Sequence, residues 1–536
     1  MATKNSNTHD VIHGERLEKN LTLSGDVAII GSGAGGGVTA EILSQAGFKV
    51  ILIEEGGYRT SKDFHMLEAQ AYPTLYYDVA ARKTKDKGIV ILQGRTVGGS
   101  TTVNWTTCFR TPPETLAHWT QMHGLKGFTV EEMAPWFARM EERLHITPWP
   151  AMNPNNDVLY RGAKKLGWHA ATINRNVKAC RNLGYCGTGC PIDAKQSMLV
   201  TTVPAALDRG ATLLTHVRAQ TLEIKGDHVV GIVGVALNER GVDPTGVQIR
   251  IEVPNVVLAG GGINSAALLL RARAPDPNGR VGKRTFLHVV NASGGIMPEK
   301  INAFDGAPQS AYSNEFLYRD GVTGKLGYKL EVAPQHPALA STISKAYGTE
   351  HAQLMAQLPY INAMIALTRD GFHENSQSAT VTLADDGSPI IDYPMNDYMW
   401  DGIRHAYLSM AECQFAAGAK QVQPAHTEAR AYGSWQEAKT AIAQLPLEIN
   451  RVLLFSAHVM GGCAMGADPK TSVVDSYGKH HQLANLWVID GSVFPTSIGA
   501  NPQLSIYGLT AQNATALSEA LKPAALASSP LGRGQG

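Results

Sequence analysis

Charge of neither sign is in surplus in this chain of 536 residues, where 47 Lys and Arg stand against 46 Asp and Glu. Without a cationic excess or a long like-charge run there is little to displace counterions from nucleic acid, which excludes that class of partner as the main function. Long hydrophobic runs are missing too, and no stretch approaches the roughly 20 apolar residues of a membrane-spanning helix. The opening MATKNSNTHDVIHGERLEKN lacks the apolar core of a secretory signal. These absences predict a soluble, cytoplasmic protein and leave peripheral membrane contact open. Cysteine is sparse: six in so long a chain do not form a disulfide framework. What remains is an ordinary globular balance, 44% hydrophobic and 17% charged, in a chain long enough for two or more cores.

Glycine is plentiful and patterned. DVAIIG (26–31) reads as a strand that runs into glycines, Val38, Ile42 and Leu43 recur at helical spacing, and KVILIEEG (49–56) is a second apolar strand. Strand, turn, helix and strand within about 30 residues is the βαβ unit. Gly31, Gly33 and Gly36 make GxGxxG at its turn, with Ala34 between them. The first glycine permits the turn, the second admits a pyrophosphate to the backbone, and the third lets helix and strand touch. The helix N-terminus offers free N–H groups to that pyrophosphate. Glu54, 23 positions after Gly31, ends the second strand, where a carboxylate accepts the ribose hydroxyls. Glu55 competes, but alternation turns it away. Dinucleotide binding follows from this context, although the loop alone does not separate FAD from NAD.

Further along, GRTVGGSTTVNW (94–105) is a second glycine-rich loop, a charged helix is expected over 130–145, and residues 211–260 alternate as a β-meander. Residues 295–450 change character, with strand-like ATVTLADDGSPIIDY and an apolar helix over 403–417. The expected fold is α/β: a Rossmann-like dinucleotide-binding domain of three layers (ββα) with a second α+β substrate domain built on an antiparallel sheet. Its expected parts are an N-terminal arm, 1–24; a discontinuous nucleotide domain, 25–115, 195–294 and 451–522; a substrate or cap domain, 116–194 and 295–450; and a flexible tail, 523–536.

GSGAGGG (31–37), GRTVGGSTTVNW (94–105), HVMGGCAMG (458–466) and NLWVIDGSVFPTSIGANP (485–502) stand in one order along the chain. Together they resemble the glucose–methanol–choline (GMC) oxidoreductases. The resemblance turns the dinucleotide towards FAD. It implies that Arg95, Gly98, Gly99 and Asn104 line the pyrophosphate and flavin, that the backbone of Val217 meets the adenine, that Asp490 and Gly491 lie beside the ribityl chain, and that Pro502 lies near the pyrimidine edge. Some members attach FAD through a histidine at the position held here by Val103, so FAD is expected to be non-covalent. His458 matches the active-site histidine and Asn501 a second polar position. A neutral imidazole suits the removal of a hydroxyl proton while hydride leaves for flavin N5, and an amide orients the substrate oxygen. His288 aligns loosely with another family histidine and reads as structural.

Cys180, Cys186 and Cys190 are spaced C-x5-C-x3-C and followed by Pro191. Two readings stay open: a [3Fe-4S] cluster, which needs only three thiolates and which some family dehydrogenases carry, or a tight glycine-rich loop with buried thiols. Cys108, Cys413 and Cys463 have no assigned chemistry. The resemblance implies FAD-dependent oxidation of a small-molecule alcohol, primary and apolar or aromatic, to the aldehyde, with O2, a quinone or a cytochrome as electron acceptor. A flavin-containing lyase or decarboxylase on the same fold is the alternative, and an NAD-linked dehydrogenase would leave the C-terminal motif unexplained.

Overall fold

The computed structural model describes residues 9–344 and 346–522. Six short strands make an all-parallel sheet in the order Val11–His13, Thr212–Thr215, Val50–Ile53, Val27–Ile30, Asn255–Leu258 and Leu486–Val488. Nearly every side chain of its central strands is buried, as expected of a parallel sheet covered on both faces. Helix Ala34–Gln45 crosses between the two adjacent strands that precede and follow it, and packs against helices Thr202–Leu207 and Gln503–Leu521. A four-stranded layer formed by Val217–Lys225, His228–Leu237, Pro244–Glu252 and Leu21–Ser24 contains the expected meander.

A second, seven-stranded sheet carries the other half of the molecule. Its main path runs Tyr328–Val332, Ile361–Thr368, Val290–Ile296, Leu454–Ser456, Ile89–Ile91 and Arg82–Lys83, with Gln421–Pro424 also paired to Val290–Ile296. All of its pairings are antiparallel except that between Leu454–Ser456 and Ile89–Ile91. Helix Asp397–Ala416 lies on this sheet, burying Met399, Ile403, Ala406, Tyr407 and Met410, and Asn396 caps it by accepting from the Met399 amide. Helix Val130–Arg143 opens with a capping box in which Thr129 and Glu132 each accept from the other's backbone N–H.

Two boundaries differ from the sequence expectation. The described part of the leading segment is not an arm, because Val11–His13 and Leu21–Ser24 each join a sheet. The signal there is too short for periodicity to show. Strands Ile89–Ile91, Val290–Ile296 and Leu454–Ser456 were expected in or at the edge of the nucleotide domain, yet they build the seven-stranded sheet. The two halves therefore share chain segments, and residues at the seam reach one site from both. The expected tail lies outside the described residues. Among the described residues, no helix is long and apolar enough to cross a membrane.

Candidate active site

One long cavity runs along the seam between the sheets. Gly31, Gly33, Ala34, Glu54, Gly99, Asn104, Val217, His458, Asp490, Gly491, Asn501 and Pro502 all line it. Twelve positions spread over almost 500 residues thus meet at a single concavity.

The nucleotide end is made chiefly by backbone. Helix Ala34–Gln45 starts at Gly33 with no side-chain cap, so its first N–H groups are free to meet an anion. Gly36 lies beneath the lining: a Cβ there would fall 1.7 Å from the Gly31 carbonyl oxygen, so only glycine lets the helix approach the preceding strand. Gly99, at φ 53°, belongs to the second loop, and its Cβ would sit 2.8 Å from the Gly33 Cα. The two glycine loops are therefore in backbone contact. Ser32 ties them further, since its hydroxyl accepts from the Gly98 amide (3.0 Å) and donates to Glu54 Oε2 (2.6 Å). The Ser32 amide donates to that same oxygen (3.1 Å) and the Gly56 amide to Oε1 (2.8 Å). Burial raises the Glu54 carboxyl pKa, and these donors oppose the rise. Glu55 instead accepts from Tyr77 and Arg218.

Farther along, Asp490 accepts from the Gly261 amide, the Ser265 hydroxyl and the Ser492 amide, which fixes its turn against the cavity. Pro502 and Gln503 begin the 19-residue helix Gln503–Leu521, so the positive end of that helix faces the lining. Asn104 Nδ2 donates to Gln503 Oε1 at 2.7 Å and joins the second loop to that helix. Gly98 supports the second loop without lining the cavity. Arg95 departs from its expected place. Its guanidinium points away and donates to the Gly241 carbonyl at 2.7 Å, bracing the meander turn; the position is shared with the motif, but the charge serves packing.

At the far end, His458 Nδ1 lies 3.0 Å from His288 Nδ1, so one donates to the other and Nε2 of His458 is left for the cavity. His288 is wholly buried at φ 48°, a strained backbone for a histidine. The sequence reading of His288 as structural missed this contact. Burial and the nearby Lys329 ammonium push His458 down to about 4, which keeps its ring neutral at physiological pH. Asn501 Nδ2 donates to Glu331 Oε2 at 3.1 Å, and Gln309 Nε2 donates to the same oxygen at 2.6 Å. Nothing in the sequence reading pointed to Gln309, Lys329 or Glu331. The alternation in YKLEV was the available signal, but a charged face on a strand ordinarily meets solvent. The wall beside His458 is apolar: Trp105, Val290, Ile365, Leu367 and Phe455 line it and form a hydrophobic cluster of their own.

The cysteine loop does not assemble the three-thiolate ligand set that was one of its two readings. Among the described residues, no group of three His, Cys, Asp or Glu side chains is placed to hold a metal ion. All three residues are partly exposed; the Cys186 thiol lies 3.6 Å from an Arg175 nitrogen, and desolvation raises its pKa. A buried Lys195, lowered to about 8 by burial, organises the loop. Its three N–H groups donate to the carbonyls of Thr102 (2.6 Å), Asn104 (2.9 Å) and Cys186 (2.7 Å). This segment therefore clamps the second glycine loop.

The residues fit FAD. The glycine contacts leave a backbone-lined cradle, Glu54 keeps acceptor capacity on Oε1, which takes only the Gly56 amide, and Val103 offers no atom for a covalent bond to the cofactor.

Comparison with known proteins agrees with this architecture. The GMC oxidoreductase family model matches in two parts, residues 49–290 and residues 375–510. An uncharacterized GMC-type oxidoreductase of Sinorhizobium fredii (strain NBRC 101917 / NGR234) is 27% identical over 92% of this chain and 95% of its own length. A long-chain-alcohol oxidase of Arabidopsis thaliana is 28% identical over 90% of this chain and 67% of its own. In fold, the chain is similar to pyridoxine 4-oxidase from Mesorbium loti, with a TM-score of 0.69 at 17% identity, covering 92% of this chain and 99% of that one. Sequence match, sheet topology and the shared cavity lead to one assignment: the chain belongs to the GMC oxidoreductase family.

Proposed function

We propose that this protein oxidises a primary alcohol with an apolar or aromatic chain to the aldehyde, using non-covalently held FAD and His458 as general base. The observation that carries the reading is the placement of His458 and Asn501 on the same cavity as the glycine loops, beside an apolar wall. FAD, when bound, supplies the acceptor for the hydride that leaves the carbinol carbon.

The chain's own residues do the rest. Trp105, Ile365, Leu367 and Phe455 bury the alkyl or aryl part of the substrate, each buried CH2 contributing about 0.8 kcal/mol. His458 Nε2 takes the hydroxyl proton as negative charge grows on oxygen, and the ring is ready to do so because it is neutral. Base action uses the tautomer in which His458 Nδ1–H donates to His288 Nδ1, and that bond strengthens once His458 becomes cationic. Asn501 faces the same oxygen and holds the O–H towards the base. Removing one proton and one hydride converts RCH2OH to RCHO.

Anaerobic mixing with a panel of primary alcohols, followed by admission of air and a peroxide assay, tests this reading. Apolar and aromatic primary alcohols should bleach the flavin absorbance; a protein that no alcohol bleaches would overturn it.

A further inference from the structure

We infer that Glu331 is a positioning residue for alcohol oxidation: from behind the cavity wall it fixes the rotation of the Asn501 amide, and so the face that Asn501 turns to the substrate. The inference rests on the reading of His458 and Asn501 given above.

Strand Tyr328–Val332 is buried along its whole length, and Lys329 and Glu331, two residues apart, share one face. Their exposures are 1% and 0%. Two opposite charges in a core cost several kcal/mol each in lost hydration, so a merely structural strand would be served better by apolar residues. The pair is not a close ion pair, since no Lys329–Glu331 contact lies within 4.0 Å among the described residues. Lys329 Nζ instead sits 3.2 Å from the centre of the Phe109 ring and 4.4 Å from that of Tyr312. Burial pushes the Glu331 carboxyl up and the Lys329 ammonium down, and each charge opposes the shift in the other.

The contacts of Glu331 are directional. Its Oε2 accepts from both Asn501 Nδ2 and Gln309 Nε2, and Gln309 is itself oriented because its Oε1 accepts from the Thr107 hydroxyl at 2.5 Å. Both contacts fall on Oε2 while Oε1 has no partner in the protein, so a proton taken up by Glu331 sits on Oε1 and Oε2 still accepts; the amide nitrogen of Asn501 must face it and the amide oxygen must turn elsewhere. Asn501 Oδ1 is buried and has no partner within the protein. An asparagine in an apolar wall would otherwise have two amide orientations of similar energy. Glu331 selects one of them, leaving Oδ1 and the second N–H for the reacting hydroxyl.

A double-mutant cycle tests this, with three measurements on FAD-loaded protein: the anaerobic flavin-reduction rate, the apparent substrate Kd and the melting temperature. Asn501→Ala and Glu331→Leu should each slow reduction about ten- to a hundredfold, the cost of misplacing a reacting group. Glu331→Gln, whose carbonyl still accepts from both amides, should recover most of that loss. The double variant Glu331→Leu/Asn501→Ala should be no slower than Asn501→Ala alone. Multiplicative effects, or Glu331→Gln as slow as Glu331→Leu, would overturn the role assigned to Glu331 while leaving Asn501 in place. Full activity in Asn501→Ala would instead remove the underlying reading of Asn501. If Glu331→Leu does not fold, Glu331→Met and Glu331→Met/Asn501→Ala complete the same cycle, and a loss in Glu331→Met that disappears in the Asn501→Ala background is the supporting result.

Discussion

The two ends of the cavity are built by different physics. At the nucleotide end the recognising groups are backbone amides, held by contacts that only glycine allows and by one carboxylate whose oxygens are fixed by Ser32 and Gly56. At the reaction end they are side chains, three of them charged or titratable and buried: His288, Lys329 and Glu331 behind His458 and Asn501. The first arrangement is rigid, and its backbone N–H groups do not titrate, which leaves Glu54 as the titrating group among them. The second depends on protonation and rotamer. Binding and chemistry should therefore be separable by mutation.

The largest effect is expected where a side chain would meet backbone. In Gly36→Ala the new Cβ falls 1.7 Å from the Gly31 carbonyl oxygen, which has no freedom to retreat. The purified variant should carry no flavin, read from its visible spectrum; near-stoichiometric flavin would break the contrast at once. Next comes Glu54→Ala, which leaves the buried donors of Ser32 and Gly56 unpaired at about 1–3 kcal/mol each. FAD affinity should fall roughly ten- to a hundredfold, measured by flavin fluorescence titration, while the reduction rate of the FAD-saturated variant stays close to wild type. A matching fall in that rate would show that the two ends are coupled.

The pH dependence belongs to the reaction end. In the proposed mechanism His458 acts as a base when neutral, and its pKa is lowered to about 4, so kcat/KM should be level from neutral pH downward and fall about tenfold per unit only below that value. A decline already centred near the ordinary histidine value of about 6.5 would mean that burial and Lys329 do not act on His458 as argued. The smallest effect is expected for Ser32→Ala. It deletes one hydrogen bond to Glu54 and one from Gly98, so FAD affinity should drop severalfold, about 1 kcal/mol, with no change in the reduction rate.

The same contrast explains what was legible in the sequence. Gly31, Gly33, Gly36 and Glu54 lie within one βαβ unit, where spacing and strand–helix pattern carry their meaning, and the structure brings them to one cavity or just beneath it. His458 and Asn501 were found because they sit in motifs, and they line the same cavity. Glu331 and Gln309 lie in no motif and matter through what they touch across 170 and more residues of chain. His288 was visible as a residue but not as a partner, since its contact spans the same distance. For Arg95, motif position says nothing of where the side chain goes, and packing takes its guanidinium to Gly241. Cysteine spacing left two readings open, because spacing fixes neither the direction of a thiol nor the lysine that pins its loop.

The central claim, that His458 removes the proton while FAD is bound independently of it, is tested most directly by anaerobic stopped-flow reduction of wild type and His458→Ala by one reactive primary alcohol. The variant should keep its flavin spectrum and lose flavin reduction by about two to four orders of magnitude, the usual worth of a general base. Reduction of His458→Ala at nearly the wild-type rate would contradict the account.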